Sequence, residues 1–171
     1  PSLGRAILDT NRVGGTIYGQ CSESEEELME RIIICDLDGT LCNCDHRLKF
    51  ASQKNWDEFN QRCIDDTVNN DIANILSNLR SKETHIYLVS GRDSKFKDKT
   101  VEWLRLNDIY YDKLLMRDAE DHRPDYVVKK EILDNEIEKS KVWFVLDDRQ
   151  SVVDMWRKSG LRCLQVQEGD F

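Results

Sequence analysis

The stretch that decides the fold is IIICDLDGT, residues 32–40, in which a run of mainly β-branched residues leads into two aspartates, a glycine and a threonine. A short apolar run of this kind is typical of a strand that is buried on both faces of a parallel sheet. Gly39 permits a turn directly after the strand, because glycine adopts backbone conformations that other residues avoid. We therefore expect Asp36 and Asp38 to lie where this buried strand ends.

Strand and helix signals alternate on the carboxyl side of this stretch. Further strand-like apolar runs occupy residues 86–89, 114–116, 142–146 and 161–166. Apolar residues at helical spacing lie between the runs, in residues 56–63, 72–79, 101–104, 127–137 and 152–156. This alternation predicts an α/β fold with a doubly wound, Rossmann-like parallel sheet and helices on both faces. The intervals between the strands leave room for at most a small helical cap.

The length and the charge of the chain limit what it can be. Its 171 residues suit one domain, and half of its net charge of -8 falls in residues 1–30, which hold two basic and six acidic residues. We expect residues 1–30 to be an extension or linker and residues 31–171 to form the domain. No run of about 18 apolar residues and no signal pattern occurs, so we expect a cytoplasmic protein without a membrane partner.

Three of the predicted strands end in polar clusters. The clusters are Asp36-Leu37-Asp38-Gly39-Thr40, Ser90-Gly91-Arg92 and Asp147-Asp148-Arg149. Because the carboxyl ends of the strands of a doubly wound sheet border one crevice, we expect the three clusters to meet there. Carboxylates held close together repel each other unless a cation lies between them, and Mg²⁺ is the natural ion for oxygen ligands. Taken singly, each cluster could instead be a strand-ending turn, a helix cap or a solvated loop.

The order of these clusters, with a lysine between the second and the third, resembles the haloacid dehalogenase (HAD) phosphotransferase superfamily over nearly all of residues 31–171. Together with Arg47, the VVK stretch at 127–129 resembles more closely the 3′-phosphatase domain of phage-type polynucleotide kinase–phosphatase. The resemblance implies that Asp36 is a nucleophile and Asp38 a general acid/base. It implies substrate or phosphate contacts from Thr40, Arg47, Ser90, Gly91, Arg92, Asp125, Lys129 and Arg149. It also implies a Mg²⁺ site formed by Asp36, Asp38, Asp147 and Asp148.

The function implied by this resemblance is a Mg²⁺-dependent phosphomonoesterase that removes 3′-phosphates from DNA or RNA ends through an aspartyl-phosphate intermediate. A kinase or ligase domain in a longer parent chain is the partner implied, although no GxxxxGK[ST] kinase motif occurs in this sequence. The alternative activity is a HAD phosphatase of nucleotides or other small phosphomonoesters. Two non-catalytic alternatives are a phospho-acceptor module, which the order of the motifs disfavours, and an inactive binding subunit, which the complete motif set disfavours.

Several other residues have two interpretations. Lys95, Lys97 and Lys99 could form an edge that binds a nucleic-acid strand, or a solvated helix face. Trp56 and the pair Tyr110-Tyr111 could stack on bases, although packing is the favoured interpretation. The Cys42-Asn43-Cys44 stretch could be a redox or metal pair, but we favour thiols without either role. We likewise expect the three histidines of the chain not to be metal ligands.

Overall fold

The computed structural model describes residues 30–169, so the predicted amino-terminal extension, apart from Glu30, lies outside the described residues. Its strands are β1 Arg31–Cys35, β2 Cys42–Asn43, β3 Thr67–Val68, β4 Thr84–Asp93, β5 Lys113–Arg117, β6 Val142–Arg149 and β7 Cys163–Gly169. Its α-helices are α1 Leu48–Ser52, α2 Trp56–Gln61, α3 Asn70–Leu79, α4 Lys97–Leu106, α5 Asp125–Glu136 and α6 Gln150–Lys158. Within this part of the chain, no helix is both long and apolar enough to cross a membrane.

Five strands form one parallel sheet in the order β5-β4-β1-β6-β7. The first strand along the chain thus lies in the middle of the sheet, which explains why nearly every residue of β1 is apolar. Ile32 and Ile34 pack with α5 and α6, whereas Ile33 and Cys35 pack with α3 and α4. The predicted doubly wound α/β fold is confirmed.

The strands β4 and β6 run further than their apolar stretches predict. β4 continues through Ser90-Gly91-Arg92, and β6 continues through Asp147-Asp148-Arg149. The pairing register shifts between Ser90 and Asp93 and between Asp147 and Arg149, so each strand is irregular where its polar cluster begins. Such irregularities change the direction of side chains at the edge of a sheet. Here they lie at the carboxyl ends of the two strands, where the polar clusters begin.

A small helical insert separates β1 from α3 and occupies residues 42–68. The short antiparallel strands β2 and β3 close its base, and α1 and α2 pack around a core of Cys44, Ala51 and Phe59. The sequence predicts α2 from its apolar spacing, but β2, β3 and α1 are too short to leave a periodic pattern. The insert corresponds to the small helical cap expected from the spacing of the motifs.

Candidate active site

The first polar cluster forms a tight turn at the carboxyl end of β1. The chain folds back so that the backbone N–H of Gly39 donates to the carbonyl of Cys42 at 2.9 Å. Gly39 has a φ of +85°, and a Cβ at this position would lie 2.3 Å from Asp148 Oδ2. The turn therefore needs glycine both for its backbone conformation and for the close approach of Asp148. It sends the side chains of Asp36 and Asp38 to different partners.

Asp36 belongs to a buried group that we call the lysine side, formed by Asp36, Lys129, Asp147 and Asp148. Lys129 Nζ lies 2.8 Å from Asp36 Oδ1 and 3.0 Å from Asp147 Oδ2. Each of the three aspartates offers an oxygen, and these oxygens lie within 4.8 Å of one another. Burial alone would lower the pKa of Lys129, but the surrounding carboxylates raise it well above its usual range. Three carboxylates thus face one ammonium group, which leaves an excess of negative charge.

The two adjacent aspartates of this group differ in their partners. Besides the lysine, Asp147 accepts hydrogen bonds from the Trp156 indole N–H at 3.1 Å and from the backbone N–H of Arg149 at 3.2 Å. Asp148 Oδ1 accepts from the Thr40 hydroxyl at 3.2 Å, but Asp148 Oδ2 is buried with no hydrogen-bond partner among the described residues. Burial and the neighbouring Asp147 raise the pKa of Asp148 to about 6. A buried carboxylate oxygen without a partner, beside two further carboxylates, fits a divalent cation that prefers oxygen ligands.

The nucleophile candidate shares this electrostatic environment. Burial raises the pKa of Asp36 well above its usual range, Asp147 and Asp148 raise it further, and Lys129 opposes them. In the absence of added positive charge, the site therefore favours the protonated form of Asp36. A cation bound by the three carboxylates would favour the ionised form, which is the form that can attack phosphorus.

The second polar cluster brings α5 against β4. Ser90 is fully buried, and its hydroxyl oxygen accepts from the backbone N–H of Arg92 at 3.2 Å. A Cβ at Gly91 would lie 2.1 Å from Asp125 Oδ1, so glycine is needed for the start of α5 to approach the strand. Asp125 Oδ2 lies 3.5 Å from Lys129 Nζ, one turn further along the helix. The glycine thus allows α5, and with it the lysine, to lie beside the end of β4.

Asp38 belongs to a second buried group, which we call the arginine side, formed by Asp38, Asp66, Arg47 and Arg92. Arg92 Nε lies 3.0 Å from each oxygen of Asp38, and Arg47 binds the same carboxylate. Asp66 accepts from both guanidinium groups, from Arg47 Nε at 2.7 Å and from Arg92 Nη2 at 3.0 Å. Burial alone would raise the pKa of Asp38, but Arg92 and Arg47 hold it well below its usual range. Two carboxylates and two guanidinium groups therefore balance each other here.

A thiol and an imidazole complete the arginine side. Cys42 Sγ lies 3.2 Å from Asp66 Oδ2, and His46 Nε2 lies 2.9 Å from Asp66 Oδ1. Asp38, Cys42 and Asp66 are close enough together to hold a metal ion. Both arginines already bind these carboxylates, however, so we assign no metal to this group. The cysteines among the described residues are free thiols.

Two residues that sequence reasoning missed hold the candidate site together. Asp66 follows a short 3-10 helix and belongs to no motif, although two buried arginines require more negative charge than Asp38 alone supplies. Arg117, at the end of β5, donates to the carbonyl of Gly91 at 2.7 Å and lies 3.2 Å from Asp125 Oδ1. Nothing in the local sequence distinguishes Arg117 from other strand-ending arginines.

Several predicted site residues have positions that differ from their predicted contacts. The resemblance implies substrate or phosphate contacts from Thr40, Arg47 and Arg92, which in the structure are almost completely buried and donate to aspartates. The resemblance also implies a metal contact from Asp38, whose carboxylate lies with the two arginines. These contacts with phosphate and metal stay predictions. Buried donors and acceptors satisfy one another within the protein, which explains these positions. Arg149 is half-buried directly after Asp148, and its predicted contact with phosphate stays a prediction.

Comparisons with known proteins identify the family and relatives of the chain. A family model described as the polynucleotide kinase PNKP phosphatase domain matches residues 30–171. A solved structure of the Pnkp1/Rnl/Hen1 complex contains a chain with 36% identity and a TM-score of 0.71, in a match that covers 98% of this chain and 53% of that one. In the Pnkp1/Rnl/Hen1 RNA repair complex, a chain with 34% identity and a TM-score of 0.72 is matched over 99% of this chain and 50% of that one.

A viral protein and a more distant structure extend the comparison. A protein of Autographa californica nuclear polyhedrosis virus, assigned as a bifunctional polynucleotide kinase/RNA ligase, is 31% identical over 130 residues, which are 74% of this chain and 18% of that protein. The chain thus spans about half the length of the two solved relatives and a much smaller share of the viral one. A predicted phosphatase from Clostridium acetobutylicum, 15% identical with a TM-score of 0.61 over 80% of this chain and 84% of that one, shares the fold.

Proposed function

The chain belongs to the family of polynucleotide kinase PNKP phosphatase domains, and we propose that it removes the terminal 3′-phosphate from DNA or RNA as a Mg²⁺-dependent phosphatase. The observation that carries the proposal is the convergence of the lysine side with the arginine side at one edge of the sheet, on a chain that the family model covers almost entirely. Residues 31–171 are the phosphatase domain in this proposal, and residues 1–30 are an extension. The names of the relatives support a kinase or ligase domain in a longer parent protein.

Asp36 is the nucleophile. Its carboxylate attacks the phosphorus of the 3′-phosphate, the bond from phosphorus to the 3′-oxygen breaks, and an aspartyl-phosphate forms. Lys129, 2.8 Å from Asp36, offers its positive charge to the phosphoryl oxygens during the attack. Ser90 and Lys129 are the proposed ligands of the phosphoryl group, because both lie where β4 and α5 border the crevice. Water then attacks the same phosphorus and releases inorganic phosphate.

Asp38 transfers the protons. Its two guanidinium partners keep its pKa well below the usual range, so it begins the cycle as a carboxylate. This form suits the second step, in which Asp38 takes a proton from the attacking water. As the substrate binds, the negative charge of the phosphate dianion raises the pKa of Asp38, which takes up a proton from solvent. In the first step Asp38 donates this proton to the leaving 3′-oxygen, and it is a carboxylate again for the second step.

The lysine side provides the proposed Mg²⁺ site. Asp36, Asp147 and Asp148 would hold the ion, and the partnerless Asp148 Oδ2 is the oxygen that most clearly requires it. When bound, Mg²⁺ supplies positive charge that offsets the carboxylates and the phosphoryl oxygens. The remaining chemistry falls to side chains of the protein: Asp36 attacks, Asp38 moves protons and Lys129 balances charge.

A three-substrate comparison tests the proposed function. The substrates are a 3′-phosphorylated oligonucleotide, its 5′-phosphorylated isomer and a small aryl phosphate, each assayed with Mg²⁺ and with EDTA. We expect the highest kcat/KM on the 3′-phosphorylated oligonucleotide and no turnover in EDTA. Efficient cleavage of the aryl phosphate alone would favour the small-phosphomonoester alternative, and equal cleavage of the two isomers would contradict specificity for the 3′ end.

A further inference from the structure

The helical insert carries an exposed aromatic ring beside the candidate active site. Trp56 is the first residue of α2, and 44% of it is exposed. Its ring meets Phe59 edge to face with centroids 5.8 Å apart, and the Arg47 guanidinium lies 4.0 Å from the Phe59 centroid. Because Arg47 also binds Asp38, only two side chains separate the exposed ring from the proposed acid/base. The ring therefore belongs to the insert, close in contacts to the residue proposed to act on the leaving 3′-oxygen.

The short helix that carries the ring is fixed to the rest of the domain at both ends. Lys95 Nζ lies 2.6 Å from the carboxylate of Asp57, beside Trp56, and Lys99 Nζ lies 3.4 Å from the carbonyl of Gln61 at the end of α2. These lysines follow β4, so their contacts hold α2 at the carboxyl edge of the sheet. From the sequence, Lys95, Lys97 and Lys99 could form a strand-binding edge or a solvated helix face. In the structure, Lys95 and Lys99 contact the insert. A ring held on a fixed support loses little entropy when it binds a ligand.

The outer surface of the insert has cations that suit a phosphate chain. Lys49 and Arg62 each lie 5.0 Å from the centroid of the Phe50 ring. The acidic residues of α2 are themselves paired, Glu58 with Arg62 and Asp57 with a lysine outside the insert. Aromatic faces interleaved with cations are the pattern that binds single-stranded nucleic acid without regard to sequence.

We propose that Trp56 is a stacking platform for the bases of the single strand whose terminal phosphate enters the site. Every base presents a flat π-face, so the platform accepts any sequence, while Lys49 attracts the phosphates further along the strand. The proposal rests on the proposed function and extends it, because it names the part of the substrate that the enzyme recognises besides the phosphate. It makes the enzyme prefer longer strands over a single nucleotide.

Two other exposed aromatic residues, Trp143 and Tyr110, lie at the opposite edge of the sheet, and Trp143 provides a matched control. Trp143 is 38% exposed at the start of β6, and Arg31 lies 5.1 Å from its ring, so its environment resembles that of an aromatic platform. Tyr110 precedes β5 at the same amino edge, with Arg80 over its ring. Both rings lie about a strand length away from the carboxyl edge, where the terminal phosphate is proposed to bind.

The kinetic test compares a nucleoside 3′-monophosphate with 3′-phosphorylated dinucleotides, tetranucleotides and octanucleotides. We expect kcat/KM of the wild type to rise with length, and Trp56→Ala to reduce this advantage by roughly ten- to hundredfold through KM. Trp56→Phe should keep most of the advantage, and Trp143→Ala should keep all of it. An equal loss on the mononucleotide and the octanucleotide would indicate a merely structural role and would overturn the proposal, as would an unchanged length advantage.

A binding test separates this proposal from the proposed function. In an Asp36→Asn, Trp143→Phe double variant, Trp56 is the exposed tryptophan, because Trp103 and Trp156 are fully buried. An octanucleotide without any phosphate at its 3′ end should protect Trp56 from quenching by acrylamide. This measurement needs no turnover, so it tests the platform even if the enzyme prefers another phosphate ester. Absence of protection would overturn the platform and would leave the phosphatase reaction intact.

Discussion

The lysine side and the arginine side of the active site begin two residues apart in the chain, at Asp36 and Asp38, but their charges are arranged differently. On the arginine side, two carboxylates meet two guanidinium groups, and each charge is compensated within the protein. On the lysine side, three carboxylates meet one ammonium group, and Asp148 Oδ2 has no hydrogen-bond partner among the described residues. The first group is complete as it stands, whereas the second requires added positive charge.

This difference assigns distinct tasks to residues of similar chemistry. A compensated, buried network holds a side chain in one position, so the arginine side sets the orientation of Asp38. An uncompensated group of carboxylates attracts a cation and, with it, a phosphate, so the proposed attack on phosphorus belongs to the lysine side. The three predictions below test this contrast, beginning with the largest expected effect.

Removing a charge from the complete network should cause the largest loss of stability. Asp66→Asn leaves Arg47 and Arg92 with one buried carboxylate between them, and breaking a buried ion pair in this way costs about 3–5 kcal/mol. Urea unfolding measures the change. Asp65→Asn, at the exposed neighbouring position, is the matched control and should change the free energy of unfolding by less than about 0.5 kcal/mol. A similarly small change for Asp66→Asn would show that the arginine side is not a cooperative network.

Adding a cation should stabilise the protein through the lysine side. Mg²⁺ at a hundred times its dissociation constant should raise the free energy of unfolding by about 2.7 kcal/mol, and EDTA should reverse the effect. Asp148→Asn should abolish most of this stabilisation, whereas Asp38→Asn should retain most of it, because the Asp38 carboxylate lies with the arginines. Thermal unfolding with and without Mg²⁺ measures both. Equal losses in the two variants would remove the proposed division between the two sides.

Neutralising the lysine side without metal should have an effect of opposite sign to that of Asp66→Asn. The pKa of Asp148 is about 6 in the folded protein and about 3.9 in an unfolded chain. The folded state therefore binds the proton more tightly, so this contribution to stability is present below about pH 4 and is lost as pH rises through about 6. In EDTA, Asp148→Asn should be more stable than the wild type by up to about 2.8 kcal/mol at pH 7, because the difference between these two pKa values is lost.

The same comparison shows how the pH dependence can be checked. The stability difference between Asp148→Asn and the wild type should fall towards zero as the pH is lowered from 7 to about 4, because the wild-type carboxyl group becomes neutral. Urea unfolding across this pH range in EDTA supplies the measurement. A variant that is less stable than the wild type at neutral pH would mean that Asp148 already has a partner in the metal-free protein.

The two sides also differ in how far the sequence predicts them. Asp36, Asp147 and Asp148 are predicted to lie together because they follow strand signals and parallel strands bring such positions to one edge, whereas Lys129 is recognised from the family resemblance. The parallel sheet with helices on both faces follows from the same alternation of apolar runs. The carboxylates of the lysine side are therefore predictable from local sequence and fold class together, and its lysine from the resemblance.

The contacts of the arginine side are less predictable, because they depend on how the insert packs against the sheet. Arg47 and Arg92 are recognised from the family resemblance, but their burial against Asp66 depends on how the insert folds over β1. Asp66 lies near the end of the insert in a stretch without periodic signal, and Arg117 lies at the end of an ordinary strand. The apolar periodicity of the sequence does not indicate which buried cation will contact which carboxylate. These contacts therefore could not be predicted without the structure.

Covalent labelling of Asp36 tests the central claim most directly. The protein is mixed with an oligonucleotide that carries a radiolabelled 3′-phosphate and is quenched with acid within one turnover, with Asp38→Asn used to slow the hydrolysis of the intermediate. We predict label on the peptide that contains Asp36, sensitive to hydroxylamine as an acyl phosphate is, and no label in a folded Asp36→Asn variant. Label on another residue, or undiminished turnover by folded Asp36→Asn, would contradict the assignment of Asp36 as the nucleophile.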